Sequence, residues 1–206
     1  TVDRIDFSND SSTASPRGSL SSARYVLVAT GNTNYGWFGG GRIPAATAIV
    51  DRINFSNDSV TAVARGPLSS ARYSLAATGN SNYGWFGGGN GLVSRVDRID
   101  FSNDFTTASV RGPLSATRYK LTSTGNCNYG WFGGGIIAVV EARVDRIDFS
   151  NDSSSASVRG SLSGVRYLMA AAGNSNYGWF GGGATPARVA TVDRIDFSND
   201  SATASI

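Results

Sequence analysis

The sequence predicts an all-β fold, a β-propeller built of four-stranded blades of roughly 47 residues. Three observations predict it. The segment VDRIDFSND starts at Val2 and returns at Val50 (with Asn54 for its second Asp), Val96, Val144 and Val192, at intervals of 48, 46, 48 and 48 residues. Each interval divides into four short aromatic or β-branched segments bounded by Gly, Asn, Asp and Ser, the pattern of strands and turns. No window holds a helical apolar period for two turns, and 26 glycines disfavour helix throughout. A lone small twisted sheet cannot bury both faces; stacking several around an axis buries both and leaves only short edges.

The elements follow in order within each repeat. Segment a, RYVLVAT at Arg24–Thr30, has copies beginning at Arg72, Arg118 and Arg166. Its positions Ala29, Ala77, Ser123 and Ala171, and Val28, Ala76, Thr122 and Ala170 beside them, stay small. Small side chains suit the strand nearest a crowded axis. Segment b, NYGWFGG, begins at Asn34, Asn82, Asn128 and Asn176 and is identical in every copy through a third glycine. Alternation puts Tyr35 and Trp37 on one face and Phe38 on the other. Both faces of a middle strand meet neighbouring blades, so Trp is expected mostly buried. The glycines then let the next blade's bulky side chains approach the backbone. Segment c is VDRIDFSN, in which Arg4 and Asp6 share a face and predict an Arg–Asp ladder between blades. In the SND turn, Asn9 and Asp10 are expected to cap the c–d hairpin as Asx turns. Segment d is TASPRGSL and its relatives.

The chain therefore runs c-d and then a-b-c-d four times. We expect a single repeat domain over 1–206, with repeats 2–49, 50–95, 96–143 and 144–191 and a partial repeat 192–206. Two closures fit this count: a four-bladed ring in which the spare c-d pair replaces its C-terminal equivalent, or an excerpt of a larger ring. The start in mid-pattern at Thr1 favours an excerpt or a processed piece.

Charge narrows the function. The net charge of +3 comes from 17 Arg and Lys120 against 14 Asp and Glu141. Arg and Asp occupy matched repeat positions, which predicts internal pairing and no nucleic-acid interface. The single Cys127 excludes an intrachain disulfide and stands where Thr33, Ser81 and Ser175 stand in other repeats. No apolar run reaches membrane-spanning length, so no membrane insertion is expected, and no stretch of these residues is expected to act as a signal peptide.

Chemistry-bearing patterns are few. There is no His, and Glu141 does not recur, so no catalytic residue is expected. The pair Asp3 and Asp6 has glycosidase-like residue types, but it recurs in every unit, whereas an active site is normally built once. The FSND turn lacks the spacing of a calcium loop, and neither metal nor cofactor is expected. The glycine run is no phosphate cradle, because a helix should follow it and RIPAATAI follows Gly41 instead. An aromatic platform at Trp37, Trp85, Trp131 and Trp179 would stack a sugar only if exposed. A lectin with one site per blade is the corresponding alternative.

Variation concentrates between GGG and VDR, at 42–49, 90–95, 136–143 and 184–191. These b–c connections should emerge on one rim, where loops on a rigid scaffold commonly carry binding specificity. Arg42, Ile43, Asn90, Leu92, Ile136, Ile137, Glu141 and Arg188 are the candidate contact residues, and glycan or protein the candidate partner. The apolar IIAVVEAR points to contact with another chain, further copies of this one included.

The order of a small-residue strand, an aromatic strand ending in Gly-Gly, an Asp-bearing strand and a strand with Arg-Gly resembles the kelch propeller repeat. The glycine pair Gly39–Gly40 and the downstream Arg24, Arg72, Arg118 and Arg166 carry that resemblance across the whole chain. The spaced Tyr and Trp of typical kelch units are missing; here Trp lies just before the glycines. The near-identical units are also similar to repeat arrays in virion structural proteins of marine tailed phages, in or near tail fibres. The resemblance implies a non-enzymatic structural and recognition module on a virion or extracellular surface. A glycan-active propeller enzyme is the less expected alternative.

Overall fold

In the computed structural model, which describes all residues except Leu92, the chain forms a four-bladed β-propeller with an extra half-blade at its N-terminus. The half-blade pairs β1 (Val2–Arg4) with β2 (Ser15–Arg17). Blade I contains β3 (Val28–Gly31), β4 (Tyr35–Gly39), a loop hairpin of β5 (Arg42–Ile43) and β6 (Ala45–Ala46), then β7 (Val50–Asn54) and β8 (Val63–Arg65). Blade II contains β9 (Ala76–Gly79), β10 (Tyr83–Gly87), β11 (Val96–Asp100) and β12 (Ser109–Arg111). Blade III contains β13 (Thr122–Gly125), β14 (Tyr129–Gly133), β15 (Val144–Asp148) and β16 (Ser157–Arg159). Blade IV contains β17 (Ala170–Gly173), β18 (Tyr177–Gly181), a loop hairpin of β19 (Ala184–Thr185) and β20 (Ala187–Arg188), and β21 (Val192–Asp196). Its outermost strand is reduced to a bridge between Arg194 and Ser205.

Each blade is an antiparallel meander in the order a-b-c-d. In every blade Trp of strand b lies opposite Arg of strand c, as Trp85 lies opposite Arg98. The innermost strands border a central cavity of about 390 Å³, lined at depth by Val28, Ala29, Ala76, Ala77, Thr122, Ser123 and Ala171. The small residues thus stand where the sequence places them.

The three apolar cores lie between blades, not within them. One joins Trp37, Val50 and Leu68 of blade I and its outgoing loop to Phe86, Ile99 and Ala108 of blade II, and the other two repeat it one and two blades on. Across each junction the Trp ring stacks on the next blade's Phe, with centroids 3.7–3.8 Å apart for Trp37–Phe101, Trp85–Phe149 and Trp131–Phe197. The glycine prediction holds as well. A Cβ on Gly39, Gly87 or Gly133 would sit 2.6–2.7 Å from the ring of Phe86, Phe132 or Phe180.

Two local expectations need correction. Segment a is extended only over its second half. Val26, Ser74, Lys120 and Leu168 adopt φ of 51–56°, a left-handed conformation uncommon for bulky residues. The turn links the blades around the axis: the amides of Ser74, Lys120 and Leu168 donate to the carbonyls of Val26, Ser74 and Lys120 at 2.8–3.0 Å. The Arg–Asp ladder exists, but with other partners. Arg52, Arg98 and Arg146 reach forward to Asp104, Asp152 and Asp200 of the next blade's c–d turn at 2.9–3.0 Å. Asp10 therefore belongs to a bridging position, not a capping one. The Asp6 position caps instead: Asn54, Asp148 and Asp196 accept the amide of the Ser two residues on, opening short 3₁₀ turns. Asn9 keeps its turn role, accepting from the Ser11 hydroxyl.

The two ends differ from the middle. Among the described residues nothing packs on the forward side of blade IV: a Cβ on Gly181 meets only Val192 at 3.7 Å, and Trp179 is half-buried where the other three Trp are fully enclosed. The half-blade docks on blade I through Arg4–Asp58 and Arg17–Asp58 at 3.1 and 3.4 Å but has no inner strands.

Candidate recognition face

Antiparallel a-b-c-d order sends all b–c loops and all d–a connections to one face, and all a–b and c–d turns to the other. The observed contacts agree. Residues following the glycines return to the start of segment a in their own blade, as bridges Tyr25–Arg42, Tyr119–Ile136 and Tyr167–Ala184. The amide of Asn90 likewise donates to the Tyr73 carbonyl at 2.8 Å. Four sequence-variable loops are thus pinned beside four recurring tyrosines.

The candidate residues divide by exposure. Ile43, Asn90 and Arg188 are exposed, while Arg42, Ile136, Ile137 and Glu141 are half-buried. Leu92 lies outside the described residues. In blade III a bridge between Ile136 and Val140 folds the loop back on itself, leaving Val139 at its tip 66% exposed. The apolar character of that loop is therefore partly presented to solvent.

The tyrosines were not among the residues singled out from sequence. Tyr25 is exposed, and Tyr73, Tyr119 and Tyr167 are half-buried. Cations sit between them: the Arg42 guanidinium lies 4.7 Å from the Tyr73 ring and 6.0 Å from the Tyr25 ring. The Lys120 ammonium lies 5.4 Å from Tyr119 and 5.3 Å from Tyr167. The available signal was that a fixed Arg-Tyr pair precedes a position that changes freely: Val26, Ser74, Lys120, Leu168. Those four residues line the mouth of the central cavity.

Charge is segregated between faces. The b–c loops carry Arg42, Arg95, Arg143 and Arg188 against the single acid Glu141. The c–d turns of the opposite face carry Asp6, Asp100, Asp148 and Asp196. Hydrogen bonds from Ser8, Ser102, Ser150 and Ser198 hold these carboxyls below the usual aspartate range. They remain ionised acceptors through neutral pH and carry no proton to donate.

A second recurring pair of charges, the Arg that opens segment a and the first Asp of strand c, is enclosed in the four complete blades. Arg118 donates to the carbonyls of Gly134, Arg143 and Phe132 and to Asp145 at 2.7 Å, with both side chains out of solvent. Arg72 and Arg166 repeat this with Asp97 and Asp193, and Arg24 with Asp51. Burial lowers the guanidinium pKa of Arg72 and Arg118 from its usual value, and the adjacent carboxylate opposes that shift. The fork ties the start of segment a to segments b and c of its own blade, which Lys could not reproduce. Trp37, Trp85 and Trp131 are likewise fully buried. Cys127 is exposed in an a–b turn, on the face away from the loops.

No protein-family model matches the chain, and no curated protein matches it.

Proposed function

We propose that the chain is a non-enzymatic recognition module that binds its partner on the b–c loop face. On this reading it is a kelch-like propeller of a virion, tail-fibre or other extracellular surface, and the partner is a glycan carrying negative charge. One observation carries the reading: the segments that vary most among the repeats gather around four tyrosines with cations set between them. Tyrosine faces stack on sugar rings, and guanidinium or ammonium groups attract carboxylate or sulfate substituents. The fixed strands supply a rigid frame, and the loops change chemistry without disturbing it. Paired, enclosed Asp and Arg support a structural rather than catalytic role for the recurring charges.

The test is binding to a panel of acidic and neutral polysaccharides, with product analysis of each incubation. Retention of acidic glycans, lost in a Tyr73→Ala, Lys120→Ala variant of unchanged melting temperature, is the expected result. Binding of a protein in place of any glycan would reassign the partner. Chain cleavage products would overturn the non-enzymatic reading.

A further inference from the structure

The half-blade has an apolar groove along the free edge of β1, about 420 Å³ in volume, bounded by Val2, Ile5, Phe38, Phe55 and Asp58. We propose that this groove is a docking site for a two-stranded hairpin of the repeat's own a–b sequence. The occupant is argued from what every complete blade places at this position.

The backbone is the first argument. Strand c spans five residues wherever strand b pairs with it, but β1 spans three, with its outer edge on β2 and its inner edge bare. An unpaired edge is a template for strand addition. Ile5 is 56% exposed, whereas its counterpart Ile99, covered on both sides, is 2% exposed.

The side chains specify which hairpin fits. Asp3 is exposed, although its counterparts Asp51, Asp97, Asp145 and Asp193 are buried against the Arg that opens segment a. Among the described residues Arg4 has no aromatic partner, where Arg98 lies 4.4 Å from the Tyr83 ring of strand b. Among the described residues, Phe55 is 49% exposed with no Trp stacked on it, and Asp58 accepts a hydrogen bond from Arg4 and lies 3.4 Å from Arg17 but meets no indole. Phe38 is only half-buried, whereas Phe86, Phe132 and Phe180 are wholly buried against the preceding blade's glycine. An arginine, a tyrosine, a tryptophan and a glycine in the order RY…NYGWFG would meet each vacancy in turn. The groove continues an interface that the molecule forms three times over.

The test adds a synthetic peptide of the Arg72–Gly89 sequence to the intact chain. Expected are one peptide bound per chain, slowed amide exchange over Val2–Phe7, and at least about tenfold weaker binding when Asp3→Ala removes the arginine's partner. A lone hairpin is marginally stable, so a second arm fuses a copy of residues 72–95 directly ahead of Val2. The fusion is expected to raise the melting temperature by about 5 °C or more, and Asp3→Ala to reverse most of that rise. If neither peptide nor fusion protects β1, the proposal fails. It also fails if the unmodified chain is a dimer with β1 already protected, because a folded copy whose a–b strands are paired in their own blades then fills the groove by another surface.

Discussion

The indole Nε1–H of Trp85 donates to Oδ2 of Asp152, 67 residues further on, at 2.8 Å, and Arg98 shares the same oxygen at 2.9 Å. One carboxylate on the next blade thus satisfies a buried Trp and half-neutralises an Arg. Trp37–Asp104 and Trp131–Asp200 repeat the arrangement at 2.8 and 2.9 Å. Asp152→Ala leaves a buried N–H and a cation without their acceptor, and should cost about 3 kcal/mol. Asp58→Ala should cost only about 1 kcal/mol, because Asp58 is more exposed and serves no indole. Urea unfolding of the two variants, compared at equal slope, checks the difference.

Gly133 and Gly181 occupy the same place in identical NYGWFGGG motifs, yet a methyl group should affect them oppositely. At Gly133 it would meet the enclosed Phe180 ring at 2.7 Å, and Gly133→Ala should destabilise by about 2 kcal/mol. At Gly181 the nearest atom is 3.7 Å away, so Gly181→Ala should be neutral or slightly stabilising, since Ala orders at lower entropic cost. Thermal unfolding that ranks the two the other way would contradict the packing described here.

Val26 holds φ of 51° while 38% exposed. A β-branched residue is strained there, and Asn tolerates the conformation well. Val26→Asn should raise stability by about 1 kcal/mol with little apolar burial lost. Chemical denaturation of this variant beside Val28→Asn, in strand β3, separates relief of strain from loss of packing.

Acid should weaken the fold through the c–d turns. Asp148 has a folded pKa below its unfolded value, first because the Ser150 hydroxyl donates to it. Its stabilising contribution is therefore present above about pH 4 and disappears as pH falls through the lower folded value. Asn54 holds the same turn without a charge, accepting from the Ser56 amide and hydroxyl at 3.0 and 2.8 Å. Asp148→Asn should therefore keep the turn and flatten the fall of stability with acid below about pH 4. An unchanged slope would mean that this carboxyl titrates alike in folded and unfolded chains.

Much of the fold was legible because each repeat states it again. Small residues at Ala29 and its copies, alternation across Tyr35, Trp37 and Phe38, and paired glycines at Gly39 all reflect short-range steric demands that sequence displays directly. The bridging role of Asp104, Asp152 and Asp200 was not legible, because an SND turn offers two Asx residues and only the next blade's Trp and Arg decide between them. Nor was the tyrosine face. Nothing local to an Arg-Tyr pair says that the ring stays accessible, or that Arg42 and Lys120 fall between neighbouring rings.

The sequence by itself determined the four segments of each repeat, the blade size, the a-b-c-d order and the gathering of variable loops on one face, since all of these follow from period and alternation. The tertiary structure decided which charges pair, which aromatics stay exposed, and where identical motifs cease to be equivalent. Trp179 and Gly181 read the same as Trp131 and Gly133 in the chain, but burial is a property of what packs opposite. Only the stacking of whole blades supplies, or withholds, that neighbour.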